Sequence, residues 1–203
     1  MTEIEKESRT YKILHPLARI LMFPICRVKA IGKENIPDGA AMYCANHSSY
    51  LDPFVICFAL GRLRHIHIIA KIELFRIPVI RSILKAIGTI PVDRSTADIG
   101  TVKASLRYLR NGERVGIFPE GTRVSKENAV ASKLGAVKLA VKTGVPIVPI
   151  YIPRRKSAFR TVHAVIGKPY YINTEGQHPS AEDYERYSSE LMANIEQLKY
   201  AEA

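Results

Sequence analysis

Short apolar runs alternate along this chain with longer stretches in which apolar positions recur every three or four residues. The first pattern predicts buried strands and the second predicts helices with one apolar face. Strands are expected at Arg27–Ile31, from Ala40 to Ala45, from His65 to Ala70, within Gly88–Arg94, from Val115 to Phe118, after Val145, and from Thr161 to Ile166. Pro146 and Pro149 flank the Val145–Tyr151 run, so that strand should begin at Pro146 or lie at an edge. A helix is predicted from Pro53 to Leu60 with Gly61 closing it, and another from Ile77 to Ile87, where Pro78 suits a helix start. Ser95 and Asp98 read as a capping box for a helix running to Asn111 that buries Ile99, Val102, Leu106 and Leu109, with Gly112 ending it. Lys133 to Thr143 is helical up to Gly144. Ser180 and Asp183 cap a last helix whose Tyr184, Tyr187, Leu191, Ile195 and Leu198 form one apolar stripe. The alternation predicts the α/β class: a single domain with a central, mixed β-sheet flanked by helices, spanning 27–203 after an N-terminal segment, 1–26.

In that segment, Thr2 to Arg9 is polar and reads as frayed. Tyr11 to Cys26 is apolar but interrupted by Pro16, Arg19 and Pro24, and is shorter than the roughly 20 apolar residues that span a bilayer. Two placements suit it: flat on a membrane interface with Lys12 and Arg19 at the headgroups, or packed on the domain as a first helix. Between Ile77 and Ile87, Arg81 and Lys85 form a basic ridge beside Ile80, Ile83, Leu84 and Ile87. That ridge could face lipid, or its long side chains could simply snorkel around a core helix.

Composition adds charge to this picture. The 203 residues carry a net charge of +11, spread through the body of the chain, while the C-terminus is acidic. An anionic partner follows: phosphate groups, an acidic protein, anionic lipid or nucleic acid. No nucleic-acid motif or basic–aromatic cluster accompanies the charge, which argues against the last. Cys26, Cys44 and Cys57 lack metal-ligand spacing and sit in apolar runs, as buried reduced thiols do.

The chemistry concentrates at Asn46-His47-Ser48-Ser49-Tyr50-Leu51-Asp52, where a strand hands over to a helix. If Ser48 or Ser49 caps that helix and Asp52 lies in its first turn, His47 can fold back to meet the carboxylate. An imidazole oriented by a carboxylate is suited to act as general base on a hydroxyl. The same residues also suit a histidine that merely packs and an aspartate that favours a helix N-terminus. His65 and His67 share a strand face, but with no third ligand nearby in sequence they read as half-buried strand residues, and no metal is assigned. Lys71 leaves that strand at the edge of His47. Pro119-Glu120-Gly121-Thr122-Arg123 could hold a phosphate through Arg123 and main-chain N–H groups, or be an ordinary turn. It lacks the spacing of a P-loop. Arg154, Arg155, Lys156 and Arg160 read as a solvated loop.

Four blocks stand in order: Asn46-His47 with Asp52, Gly88 to Arg94, Phe118 to Arg123, and Val145 to Pro149. Together they resemble the four motifs of the glycerolipid acyltransferase family, specifically the 1-acylglycerol-3-phosphate acyltransferases. Ala70 to Leu74 is similar to a further segment of that family. The resemblance implies acyl transfer from a thioester, on acyl carrier protein or coenzyme A, to the hydroxyl of lysophosphatidic acid, without a covalent enzyme intermediate. It implies His47 as base and Asp52 as its orienting partner. Arg94 and Arg123 would bind the acceptor phosphate, and Lys71 would lie there or near the oxyanion. Gly121 permits close approach, Thr122 belongs to the same loop, and Glu120 orients Arg123 or the glycerol. No metal or redox cofactor is implied. The protein would sit peripherally on an anionic membrane, at its cytoplasmic face. Pro91 departs from the pattern, since bulky apolar residues are usual there. Glycerol 3-phosphate or another lysophospholipid as acceptor is the nearest alternative, and a non-catalytic lipid- or acyl-carrier-binding module is a more distant one.

Overall fold

The run Ala41–Ala45 forms a strand with every residue buried, because both of its neighbours and both sheet faces are covered. In the computed structural model, which describes residues 2–93, 98–119, 126–157, 159–174 and 176–202, this strand, β2, is central to a seven-stranded sheet. The strands are β1 (Arg27–Ile31), β2 (Ala41–Ala45), β3 (Ile66–Lys71), β4 (Ile90–Val92), β5 (Arg114–Ile117), β6 (Ile147–Tyr151) and β7 (Thr161–Ile166). They lie in the order β1-β7-β6-β2-β5-β3-β4. β6, β2, β5, β3 and β4 are mutually parallel, while β7 is antiparallel to β6 and parallel to β1. The sheet is therefore mixed.

Helices α1 (Glu3–Met22), α2 (Asp52–Leu60), α3 (Pro78–Ala86), α4 (Ile99–Arg110), α5 (Lys126–Thr143) and α6 (Ala181–Gln197) complete the layers. Alternation along β2 divides the core. Ala41, Tyr43 and Ala45 pack with Val55, Ile56 and Phe58 of α2 on one face. Met42 and Cys44 pack with Leu106 and Leu109 of α4 and Leu191 and Ile195 of α6 on the other. The three cysteines are free thiols.

Several elements differ from the sequence reading. The N-terminal residues are not frayed, because Thr2 forms a capping box with Glu5 and α1 starts at Glu3. α1 buries Glu7, Tyr11 and His15, four apart on one stripe. On its other side Ile13, Leu17, Ile20 and Leu21 are each more than half exposed. α5 begins seven residues before the expected Lys133. Asp98 caps α4 by accepting from Thr101 N–H, and Ser95 lies outside the described residues. Ile99 and Val102 are exposed instead of buried, while Leu106 and Leu109 further along α4 are buried as read. The Ser180–Asp183 capping box of α6 is present as read.

β6 begins at Ile147, directly after Pro146, the first of the two placements expected, and it lies inside the sheet, which therefore has to accommodate Pro149. Its missing donor would face β7, and there the pairing is interrupted: Ile147 bridges to Tyr170, Ile150 pairs with Ile166, and the chain bulges between them. Gly167 N–H donates to Pro149 O at 2.9 Å. A side chain at Gly167 would start 2.9 Å from Pro149 Cγ, so glycine admits the ring. Pro91 sits mid-way along β4, which pairs only with β3, so the edge tolerates it.

Candidate active site

Five parallel strands end at one edge, in the lateral order β6, β2, β5, β3, β4. The loops leaving them carry Lys156, His47 with Asp52, Phe118, Lys71 and Asp93 respectively. After β2 the chain turns through Asn46 to Leu51 before α2 begins at Asp52. Asn46 is fully buried and fixes this turn. Its Nδ2 donates to Ile152 O at 2.7 Å, and its Oδ1 accepts from Ile152 N–H at 2.7 Å. The amide thus continues the β2–β6 pairing one residue beyond the strands, and losing it would strand two buried backbone groups at about 1–3 kcal/mol each.

Neither Ser48 nor Ser49 caps α2. Leu51 occupies the N-cap without a side-chain bond, and the capping runs in the opposite sense. Asp52 reaches back, and its Oδ2 accepts from the N–H groups of Ser48 at 2.6 Å and Ser49 at 2.7 Å. The same oxygen accepts from His47 Nδ1 at 2.8 Å. The pairing of His47 with Asp52 anticipated from the sequence is formed.

Oδ1 of Asp52 meets a residue that the sequence reading left in solvent. Lys156 Nζ lies 2.7 Å away, an ion pair whose angle falls short of a hydrogen bond. The Lys156 side chain is only 5% exposed, and Nζ also donates to Ser48 Oγ at 2.9 Å. Arg154 in the same loop pairs with Glu196 at the surface. Burial by itself would raise the Asp52 carboxyl, but His47, Lys156 and the two amides together hold it below its ordinary value. Asp52 is therefore an anion at neutral pH. The His47 proton then resides on Nδ1, and Nε2 carries the basic lone pair. Phe118 stacks on the imidazole with ring centroids 4.3 Å apart, which sets the plane of the ring.

Lys71 ends β3 at the same edge, half-buried, and makes no hydrogen bond or ion pair with His47 or Asp52. Arg94, Glu120, Gly121, Thr122 and Arg123 lie outside the described residues. His65 and His67 belong elsewhere, before and within the first residues of β3, and both are buried instead of half-buried. The third neighbour missing from the local sequence is Glu113.

The Acyltransferase family model matches residues 27–153, the stretch from β1 through the Ile152 turn that holds His47, Asp52, Asn46 and Phe118. This chain belongs to the acyltransferase family. Among relatives of this acyltransferase, the 1-acyl-sn-glycerol-3-phosphate acyltransferase of Bacillus subtilis is 33% identical over 196 residues, covering 93% of this chain and 96% of that protein. The chloroplastic 1-acyl-sn-glycerol-3-phosphate acyltransferase of Arabidopsis thaliana is 36% identical over 138 residues, 66% of this chain and 38% of that one. In three dimensions the acyltransferase superimposes on the 1-acyl-sn-glycerophosphate (LPA) acyltransferase of Thermotoga maritima with a TM-score of 0.64 and 27% identity, over 97% of this chain and 80% of that one.

Proposed function

We propose that this acyltransferase moves a fatty acyl group from a thioester to the sn-2 hydroxyl of 1-acylglycerol 3-phosphate, giving phosphatidic acid. The relatives from Bacillus and Thermotoga are named for that acceptor, and they match nearly the whole of this chain. The observation that carries the chemistry is the 2.8 Å bond from His47 Nδ1 to a buried, anionic Asp52 at the ligand-binding edge of the sheet. A hydroxyl is a poor nucleophile until its proton has somewhere to go. His47 Nε2 accepts that proton as the oxygen attacks the thioester carbonyl. Asp52 stabilises the resulting imidazolium, which then returns the proton to the departing thiolate, so the enzyme ends as it began.

The lateral order of strands supports an acceptor-phosphate role for Arg123, Arg94 and Lys71. Neighbouring strands are about 4.8 Å apart, so the loop after β5 stands one spacing from His47, and those after β3 and β4 stand about 10 and 14 Å away. A phosphate one carbon removed from the reacting glycerol position falls within the first of these distances, which favours Arg123, the arginine that follows β5 in the sequence, with Glu120, Gly121 and Thr122 beside it in the chain.

A turnover assay tests the proposal by pairing acyl carrier protein and coenzyme A thioesters in turn with lysophosphatidic acid and with glycerol 3-phosphate. Turnover with lysophosphatidic acid is expected, and acylation of glycerol 3-phosphate alone would refute the assignment. In the same assay Arg123→Ala is expected to raise KM for the acceptor, with little change for the donor and a smaller loss of kcat than in a His47 variant. An unchanged acceptor KM in folded protein would exclude Arg123 as the phosphate ligand.

No described helix is long and apolar enough to cross a membrane. α1 exposes Ile13, Leu17, Ile20 and Leu21, and α3, which contacts α1, exposes Val79 and Ile83. Arg81 and Lys85 are exposed on the same α3. This composite face supports peripheral attachment to an anionic bilayer. Co-sedimentation with phosphatidylglycerol-containing vesicles should be strong at low salt and fall as salt is added. Absence of binding at low salt would remove this face as an attachment site.

A further inference from the structure

His65 and His67 stand two residues apart on one face of β3, at the opposite edge of the parallel strands from His47. Each ring commits one nitrogen to a backbone carbonyl. His65 Nε2 lies 2.9 Å from Ile87 O, and His67 Nδ1 lies 2.9 Å from Gly88 O. A carbonyl only accepts, so these nitrogens carry the protons, and the lone pairs fall on His65 Nδ1 and His67 Nε2. Both of those atoms are sealed from solvent and have no hydrogen-bond partner. Two buried acceptors left unmet side by side are costly. Glu113, just before β5, supplies a carboxylate. Its Oε2 is 3.9 Å from His67 Nε2, and one ligand atom from each of the three residues lies within 4.8 Å of the others.

We propose that His65, His67 and Glu113 bind a divalent transition-metal ion of the zinc class, at a site separate from the acyl-transfer centre. Two neutral imidazoles and a carboxylate are a ligand set of that class. A ring N–H held by a backbone carbonyl is the outer contact that metal-binding histidines usually keep. Tyr11 lies against His65 with centroids 4.7 Å apart, and Tyr108 stacks on His67 at 3.5 Å, so both rings are held in place. Zinc ligands at about 2.1 Å stand roughly 3.4 Å from one another, so the trio must close by roughly 1 Å. Glu113, 22% exposed, is the member free to move. A cleft lined by Ile4, Glu5, Ser8, Arg9 and Lys12 reaches Glu113 from the surface. Lys12 and Arg114 bring opposing positive charge to Glu113 and moderate the affinity. A bound ion would fasten β3 to β5 underneath α1.

Thermal melts of metal-stripped protein with and without Zn2+ test this site. Tm should rise by roughly 5–10 °C when free Zn2+ is about 100 times its dissociation constant. Co2+ should give the visible absorption of a low-symmetry site. Glu113→Gln keeps the size of the side chain on a partly exposed position, so it should fold, and it should weaken Zn2+ binding at least about tenfold. Lys12→Met should tighten it. No Zn2+-dependent rise at submillimolar free metal would overturn the proposal. An equal rise in Glu113→Gln would overturn it too, by placing the ion elsewhere.

Discussion

Replacing His47 by alanine is expected to lower kcat by at least about 10²–10⁴ while Tm changes little, because the substitution removes the proton acceptor and leaves the turn intact. The turn is held by Asn46 and by the Ser48 and Ser49 amides on Asp52, none of which depends on the imidazole. Asp52→Asn should be comparably severe for a different reason. An amide can offer N–H to Nδ1 and select the wrong tautomer, and it no longer stabilises the imidazolium. Single-turnover acyl transfer at saturating substrate reads the effect directly. Parent-like rates in folded His47→Ala would sink the general-base mechanism.

The second large effect is expected at Lys156. Lys156→Met takes a cation from a carboxylate with no solvent exposure, and breaking such a pair costs about 3 kcal/mol. For a chain of this size the loss corresponds to a fall in Tm of roughly 6–12 °C. Activity should respond in a way that instability alone does not produce. In the folded protein the Asp52 carboxyl lies below its ordinary value, so its ionised contacts stabilise the fold above the unfolded pKa near 4 and lose that contribution as pH falls through the folded value. Without Lys156 the folded value rises, and the loss begins at a higher pH. The acid limb of the kcat/KM profile should move upward with it, and Lys156→Arg should restore most of the change. A lower Tm with an unmoved acid limb would make Lys156 a structural residue only.

What could be read from the sequence follows from how far apart the interacting residues lie along it. The apolar periodicity located the strands and most helices, and the Ser180–Asp183 box lies within a single turn of helix. His47 and Asp52 were legible because both partners occupy one turn, five residues apart. Lys156 meets Asp52 across 104 residues, and a lysine beside two arginines looks like any solvated charge run. Glu113 is brought to His67 only by the β3–β5 pairing, and Asn46 to Ile152 only by the β2–β6 pairing. Pro149 left the place of β6 in the sheet open for a related reason. A proline argues for an edge unless a bulge opposite absorbs it, and the bulge is written around Gly167, in another strand's tail. Ile99 and Val102 misled because periodicity marks an apolar face without saying how much of it is covered.

The edge strand β4 has a consequence for how copies of this protein meet one another. An open sheet invites a second chain to add a strand, with the row of free backbone groups serving as a template. β4 offers only three residues, and Pro91 in the middle removes one donor from that row. Strand addition at this flank therefore gains too few hydrogen bonds to persist. The same flank lies two strands from β5 and three from β2, whose ends carry Phe118 and His47. At high concentration, where neighbouring copies crowd together, such a blunt edge keeps the parallel half of the sheet from being extended by another molecule of the same chain.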